Sequence, residues 1–382
     1  MEFSPNETQR ELAALTRTLI AGRFTPERLA EVESAGDRFD AALWADLARA
    51  GILAAALPES LGGVGLGLLE QCSVLTEIGR AVAPAPYLAS IVLGASTLAR
   101  FGTPDQQRRW AAPAGRGELI LTAALAEEDG DDPRDPTARA ERGPGNGNGN
   151  GDATTRWRLT GAKTAVPAGM RAGLILVPAA TAEGVTVFAV APDDPGVTLE
   201  AQRLVDGDTA GRLELAGVEL PGDRVLGSPA DGAEITRWLV SRGTVGLCAL
   251  QLGIVERALE LTSQYAQSRV QFERPIGSFQ AVAQRLADAF IDVEAIRLTM
   301  WQAAWRLAAD LPCDPEIATA KFWAADAGHR VAHTAVHVHG GVGIDTSYPL
   351  HRYFVAAKRA EFELGGATAQ LRRIGTALAS SD

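Results

Sequence analysis

The spacing of apolar residues changes twice along this chain. Residues 1–120 carry apolar positions at helical spacing, as in TQRELAALTRTLIAG and DAALWADLARAGILAAAL. Over residues 121–228 the period falls to two, in short runs such as WRLTGAKTAV, GVTVFAVAP and GRLELAGVELP, which Gly, Pro and Asp separate. Helical spacing returns over residues 229–382. The pattern therefore predicts a helical region, a small antiparallel β domain and a second helical region.

One segment inside the β region has no such period. The stretch EDGDDPRDPTARAERGPGNGNGNGDATTR contains a Gly-Asn repeat and few apolar residues, so burial cannot offset the entropy lost on ordering it. We expect residues 133–155 to form a mobile hairpin tip that a short turn can replace. A phosphate-binding role is not expected, because the strand WRLTG, and no helix, follows the glycines.

Composition narrows the classes of partner and compartment. A chain of 382 residues with 46% hydrophobic content can bury a large core in two or three domains. A net charge of −11 disfavours nucleic acid and acidic membranes as partners. The three cysteines, Cys72, Cys248 and Cys313, form neither a disulfide framework nor a zinc motif. With no signal-type N-terminus and no run of 18 apolar residues, we expect a cytoplasmic protein without a membrane span.

The histidines are concentrated near the C-terminal end, and they allow two interpretations. All five lie between residues 329 and 351: His329, His333, His337, His339 and His351. The first three lie four residues apart, on one stripe of a helix, where they could bind a metal or lead into a ligand loop. No HExxH glutamate accompanies them, which disfavours the metal. Gly340, Gly341 and Gly343 predict that the helix ends there and that the backbone becomes accessible to a ligand.

Four segments resemble the acyl-CoA dehydrogenase family, in the family's order and over nearly the whole chain. LPESLGGVGLGLLEQCSVLTEIGRA resembles its N-terminal Pro-Glu-x-x-Gly-Gly-x-Gly segment, and WRLTGAKTAVPAG its middle strand pair. YAQSRVQFERPIGSFQAVAQRLAD resembles the Arg-x-x-Phe-x-x-x-Ile-x-x-x-Gln segment. HGGVGIDTSYPLHRYF with ELGGATAQLRRIG resembles the C-terminal region. The resemblance implies an α+β fold: an N-terminal helical domain (1–120), a middle antiparallel β-barrel (121–228) and a C-terminal four-helix bundle (229–382).

The resemblance also implies FAD, an acyl-CoA thioester substrate, an electron-transfer acceptor and a tetramer. The residues on the adenosine side of the FAD site would be Arg269, Phe272, Ile276, Phe279, Gln280, His337, Gly340 and Gly341. Arg269 suits the diphosphate, since its planar fork matches phosphate oxygens. His337 replaces a family glutamine, so we expect the histidine helix to lead to a cofactor loop and not to a metal site.

The family's catalytic machinery is incomplete in this chain. The family removes an α-proton with a glutamate at one of two places, which here hold Leu364 and Gly243. Glu363 is adjacent to the first place, but one residue along a helix turns a side chain by about 100°.

The expected flavin wall is altered as well. It has Ala165 and Pro167 where the family commonly has an aromatic and a hydroxyl residue, and Ala126 replaces a frequent threonine. The nearby Glu127 and Glu128 are expected to be solvated loop acids and not a replacement base.

Three functions remain open. The first is that the chain is a FAD-dependent acyl-CoA dehydrogenase subunit, with the base for 2,3-dehydrogenation supplied by a homologous catalytic chain of a hetero-oligomer. Alternatively, it is a self-sufficient flavoenzyme of the same fold, working as a homo-oligomer with a displaced base such as Glu363. A third possibility is a flavin-free binding or scaffold protein of that fold.

Overall fold

A computed structural model describes residues 3–36, 38–130, 132–143 and 155–379. The chain divides into two compact units. Unit 1 combines Met1–Glu31, Gly67–Pro84 and Thr244–Asp382, and unit 2 combines Val32–Leu66 with Ala85–Gly243. Along the sequence, a sheet region lies between two helical regions, which confirms the expected α+β order. The division into three domains at 120 and 228 stays a prediction.

The N-terminal region is helical, as its apolar spacing predicts. Its α-helices are α1 Glu7–Arg23, α2 Pro26–Ser34, α3 Ala41–Arg49, α4 Leu68–Ala81, α5 Ser96–Phe101, α6 Pro104–Gln106 and α7 Ala112–Gly115, with π-helical segments at Leu88–Ala95 and Gln107–Ala111. A capping box begins α1: the Asn6 side chain accepts from the Gln9 N–H at 2.8 Å, and the Gln9 side chain accepts from the Asn6 N–H at 3.0 Å.

The period-two region forms one seven-stranded sheet within the described part of unit 2. Its strands are β1 Leu121–Ala123, β2 Arg139–Arg142, β3 Arg156–Val166, β4 Leu174–Thr181, β5 Gly184–Val190, β6 Val197–Arg203 and β7 Thr209–Pro221. The strand order is β1-β4-β2-β3-β7-β6, and β5 pairs with β4. The β2–β3, β3–β7, β4–β5 and β6–β7 pairs are antiparallel, as expected, whereas β1 and β2 pair parallel with β4 and depart from the expected arrangement.

The sheet buries the apolar side chains that alternate along its strands. In β3, Trp157 and Leu159 point into the core while Arg156 and Arg158 are exposed, as a period of two requires. The Trp157 ring meets the ring of Phe188 on β5 edge to face, with centroids 5.4 Å apart. This core fixes the register of the strands that carry the candidate flavin wall.

Strand β2 lies inside the segment expected to be a mobile tip, so that expectation is wrong for residues 139–142. Ala138 and Ala140 are 1% and 3% exposed within the sheet core. Strand β2 pairs antiparallel with β3, from Arg139 opposite Thr160 to Arg142 opposite Trp157. The Gly-Asn repeat itself lies in residues 144–154, outside the described residues.

Two replacement variants distinguish the contribution of the Gly-Asn repeat to stability from that of strand β2. Replacing residues 144–154 by a short turn is expected to shift the melting temperature by only a few degrees, because halving a loop changes its closure free energy by about 0.6 kcal/mol. Replacing residues 133–155 also removes β2 with the buried Ala138 and Ala140, and should lower the melting temperature clearly. Thermal denaturation compares the two variants, and equal melting temperatures would contradict the role assigned to β2.

The C-terminal region returns to long helices. They are α8 Gly232–Ser268, α9 Gln280–Ala308, α10 Asp314–His339, α11 Leu350–Phe362 and α12 Ala367–Ala379, with a short hairpin of β8 Val270–Gln271 and β9 Arg274–Pro275. In unit 1, α4 and α8 approach closely at two glycines. A Cβ on Gly79 would lie 2.2 Å from the Leu250 carbonyl oxygen, and one on Gly253 would lie 2.0 Å from that of Thr76.

One described helical stretch, Pro229–Ser268, meets the length and apolarity of a membrane span, although the sequence was expected to contain none. Of its most apolar window, 78% is buried inside the protein, as in the core helix of a globular domain.

Candidate functional site

The hairpin segment from Arg269 to Gln280 presents most of its side chains to solvent. Phe272 is 86% exposed at the hairpin tip, and Arg269 and Gln280 are exposed as well. The side chains of Arg269 and Gln280 make no ion pair or hydrogen bond with any described residue. Ile276 and Phe279 are half-buried, and the Arg274 guanidinium lies 4.1 Å from the centroid of the Phe279 ring. A ligand arriving from outside would therefore meet unengaged polar groups.

The histidine helix ends at the glycines, as the sequence predicts. Helix α10 stops at His339, and Gly340 has φ +63°. The buried His339 anchors this end: its Nδ1 lies 2.8 Å from the Ala335 carbonyl oxygen, and its ring stacks on Tyr265 at 4.2 Å. Burial lowers the pKa of His339. Gly340 and Gly341 are exposed, with open space where a Cβ would lie, so their backbone is accessible.

The other histidines of α10 face different surroundings. His329 Nδ1 lies 3.1 Å from Glu361 Oε2 and 2.9 Å from Lys358 Nζ. The His333 ring packs against His329 at 4.2 Å. His337 is exposed and lines an open groove of about 830 Å³ between α9 and α10. Within the described ranges, no three His, Cys, Asp or Glu side chains are arranged to hold a metal ion.

The turn between α11 and α12 contains one carboxylate, Glu363. Its Oε2 lies 3.5 Å from Nε of Arg359, one helical turn earlier, and its side chain is 28% exposed. Leu364 follows in a left-handed conformation with φ +58°. Gln370 Nε2 donates to the Leu364 and Gly365 carbonyls at 3.2 and 3.0 Å, which fixes the turn. The one acid of this turn is thus engaged with an arginine.

The second expected base position holds no carboxylate either. Gly243 is buried in α8, and the sequence has no Asp or Glu between residues 235 and 255.

Lys321 is a buried residue near the turn that the sequence arguments missed. It is fully buried on α10, and its Nζ donates to the carbonyls of Ala360 and Glu361 at 2.8 and 3.1 Å, at the end of α11. Burial lowers the pKa of Lys321 to about 8. The sequence did contain a signal for this buried lysine, because Lys321 is the one charged residue within the apolar helical run IATAKFWAA.

On the expected flavin wall, backbone groups are already hydrogen bonded within the chain. The exposed Ala165, with φ +47°, donates its N–H to Gln202 Oε1 at 2.7 Å, and Gln202 Nε2 donates to Thr164 Oγ1 at 3.0 Å. The Thr122 hydroxyl donates to the Pro167 carbonyl at 2.6 Å. This wall offers no aromatic surface and no free N–H at Ala165, and proline has none. Ala165 and Pro167 therefore offer a ring neither a stacking surface nor a free backbone N–H.

The two acids near Ala126 differ, and the expectation that both are solvated is wrong for Glu127. The Glu127 side chain is 4% exposed and pairs with Lys163, 1% exposed, at 2.6 Å. It also accepts from the N–H of Thr137, and from that of Ala138 at 3.0 Å. Burial raises the pKa of Glu127, but these hydrogen bonds outweigh it and lower the pKa overall. Glu127 is thus a structural anion.

Glu128 behaves as expected. Its side chain is 57% exposed and faces Arg212 at 3.1 Å. Ala126 is exposed, and its carbonyl accepts from the Thr164 N–H at 2.9 Å. Glu127 is therefore paired with Lys163 and Glu128 with Arg212, and neither is an unengaged carboxylate.

Comparison with known proteins finds similarity to acyl-CoA dehydrogenases over the whole chain. The family model "Acyl-CoA dehydrogenase, N-terminal domain" matches residues 6–118, and "Acyl-CoA dehydrogenase, C-terminal domain" matches residues 230–379. Acyl-CoA dehydrogenase FadE27 of Mycobacterium tuberculosis is 48% identical over 389 residues, covering 100% of both chains.

Two solved structures are also similar. A chain in the ChsE4-ChsE5 complex from Mycobacterium tuberculosis has a TM-score of 0.92 and 50% identity, with 99% of each chain covered. A chain in a variant of the Tcur3481-Tcur3483 steroid ACAD has a TM-score of 0.89 and 39% identity, with 98% of each covered.

Proposed function

Because this chain belongs to the acyl-CoA dehydrogenase family, whose cofactor is FAD, we propose that it works as one subunit of a hetero-oligomeric acyl-CoA dehydrogenase. The catalytic base comes from a homologous partner chain. This chain supplies residues that hold the adenosine and diphosphate side of the cofactor. The reaction is 2,3-dehydrogenation of an acyl-CoA thioester.

The observation that carries this proposal is the turn at Glu363–Gly366. Removal of a weakly acidic α-proton needs a carboxylate within hydrogen-bond reach of that proton. Leu364 is apolar, Glu363 is held by Arg359 at 3.5 Å, and Gly243 has no side chain. A chain with these residues depends on an external acceptor for the proton.

The residues expected near the flavin ring and those expected near the adenosine side differ in what they offer the cofactor. Bound FAD would supply the acceptor for the hydride that leaves the substrate β-carbon. The wall at Ala165 and Pro167, closed by Gln202, offers its ring no stacking surface and no free N–H, whereas Arg269 and Gln280 are exposed and unengaged by the described residues. Arg269 would hold the diphosphate, since its planar fork matches phosphate oxygens. The remaining assigned contacts on this side are Phe272, Ile276, Phe279, Gln280, His337, Gly340 and Gly341.

The surface of α9 supports an assembly of helical bundles. Ile291, Leu298 and Trp305 recur every seven residues and are 63%, 46% and 37% exposed, and Phe290 is 58% exposed. A seven-residue apolar repeat is typical of helices that pack along one another. We assign this stripe to subunit contacts.

The similar structures support a class of substrate. One is described as a steroid ACAD and the other as a complex of two differently named chains. By analogy, we propose a steroid acyl-CoA thioester as the substrate of the assembled enzyme.

Flavin content tests the assignment of Arg269. The isolated chain is expected to retain FAD at well below one equivalent, because it holds one end of the cofactor and not the ring. In the complex with a glutamate-bearing homologue, Arg269→Ala should lower the flavin absorbance per protein by removing a charge-assisted bidentate contact worth about 1.5–3 kcal/mol.

Arg108→Ala is the matched control, since Arg108 is an arginine 67% exposed on a helical surface far along the sequence from Arg269. It should leave flavin content unchanged. Stoichiometric, tightly bound FAD in the isolated wild-type chain would contradict the proposal.

A further inference from the structure

The end of helix α10 is held by one buried imidazole, that of His339. Its Nδ1 lies 2.8 Å from the carbonyl oxygen of Ala335, and its Nε2 lies 3.2 Å from the hydroxyl oxygen of Tyr348. Because a carbonyl oxygen only accepts, Nδ1 carries the proton, and in the neutral ring Nε2 then accepts from the Tyr348 O–H. Burial lowers the pKa of His339, which favours this neutral form. Both ring nitrogens are therefore used within the chain.

His339 also connects two backbone segments expected on the adenosine side of the cofactor. Its ring stacks on that of Tyr265, with centroids 4.2 Å apart and ring planes inclined at 23°. The Tyr265 carbonyl accepts from the N–H of Arg269 at 2.8 Å, one helical turn later. On the other side, the turn Gly340–Ile344 folds back onto the helix end, where a Cβ on Gly343 would lie 3.1 Å from Cβ of His339. The His339 ring thus lies between the segment that leads to Arg269 and the glycine turn.

The surroundings of this ring offer no compensation for a positive charge. Its titratable neighbours among the described residues are Tyr265 of α8 and Tyr348 of the segment before α11, and no charged side chain of a described residue contacts it. Burial raises the pKa of Tyr348, so its hydroxyl stays neutral. Tyr348 also packs against a buried apolar cluster that includes Ala335 and Leu350. A protonated His339 would therefore be a buried cation without a counter-ion.

We propose that His339 is a positioning residue for the adenosine side of the cofactor: its neutral ring holds the exposed backbone of Gly340 and Gly341 in place relative to Arg269. The inference rests on the proposed function and deepens it. Glycines bring no side chain that could fix a turn, so the order of this backbone depends on the residue at the helix end. His339 is 4% exposed, so it acts through the turn and not by touching the cofactor.

The flavin affinity of the complex with a glutamate-bearing homologue, measured against pH, tests this role. His339→Phe keeps a ring to stack on Tyr265 but loses both hydrogen bonds, so it should weaken flavin binding about tenfold near neutral pH. Tyr348→Phe removes one of the two bonds and should weaken binding about threefold. The wild-type affinity should approach that of His339→Phe as pH falls below 6.5 and through the lowered pKa of His339, because the charged ring no longer favours its buried place. His333→Phe is the matched control, since His333 is another histidine of α10 whose pKa burial lowers, and it should follow the wild type at every pH.

Amide hydrogen exchange of residues 340–345 in the isolated chain measures the order of the turn without flavin. Protection there should fall with pH in the wild type, and should be low and constant in His339→Phe. A ratio of wild-type to His339→Phe flavin affinity that stays constant with pH would make His339 a packed core residue and overturn this inference, with the proposed function intact. A pH-dependent turn with unchanged flavin affinity would also overturn it. A wild-type complex that binds no flavin would overturn the proposed function, and this inference with it.

Discussion

Oxidation of a steroid acyl-CoA is expected only from a complex of this chain with a glutamate-bearing homologue, and Glu363→Gln is expected to leave that oxidation nearly unchanged. A general base contributes about 10²–10⁴-fold to a proton transfer. Leu364 and Gly243 cannot take a proton, and Glu363 is engaged by Arg359 at the end of α11. The isolated chain should therefore show activity lower by at least this factor.

Steady-state oxidation with an artificial electron acceptor, measured on the isolated chain and on the complex, tests this expectation. The matched control is the corresponding Glu→Gln change in the partner chain, which should abolish turnover. If the isolated chain oxidises acyl-CoA and Glu363→Gln abolishes that activity, Glu363 is the base and the chain is self-sufficient. If the complex binds the thioester but holds no flavin and transfers no electrons, the chain is a flavin-free binding or scaffold protein.

The elements that the sequence predicted best are those whose period is repeated many times. WRLTGAKTAV coincides with β3 Arg156–Val166, and GRLELAGVELP lies within β7 Thr209–Pro221. Strand β2 was missed because its single apolar residue, Ala140, lies between an arginine and a glutamate, a pattern with little hydrophobic contrast. Its existence depends on pairing with β3 and on the room for Ala138 and Ala140 in the sheet core, which are contacts distant in sequence.

In the candidate site, too, contacts between residues distant in sequence could not be predicted. Resemblance located the positions Leu364, Ala165 and Pro167, because each is a place in a one-dimensional motif. It could not show that Gln202, on another strand, occupies the N–H of Ala165, or that Lys163 neutralises Glu127 from 36 residues away. Such partners are set by strand register and burial, which the local sequence does not specify.

Glu127→Gln is expected to destabilise unit 2 by about 3 kcal/mol, because it leaves the Lys163 ammonium buried without its counter-ion. The glutamine can still accept a hydrogen bond from the N–H of Ala138, so the decrease in stability measures mainly the lost charge of Glu127. Denaturant unfolding measures the difference in free energy. Glu128→Gln is the matched control, since that side chain is 57% exposed beside Arg212, and it should change stability by less than about 0.5 kcal/mol.

The pair can also be tested by removing both charges and by changing pH. Glu127→Gln combined with Lys163→Met should recover much of the loss, because no buried ion remains unpaired. The carboxylate of Glu127 has a lowered pKa, so its contribution is present above its usual pKa of 4.5 and is lost as pH falls through the lowered value.

Burial lowers the pKa of Lys163 from 10.5, so raising the pH towards 10.5 removes the charge and should shrink the Glu127→Gln defect. The defect is therefore expected to be largest near neutral pH and smaller at both extremes. A defect that did not vary with pH, or a double variant no better than Glu127→Gln alone, would mean that the hydrogen bonds to Thr137 and Ala138 hold this loop and the charge pair does not.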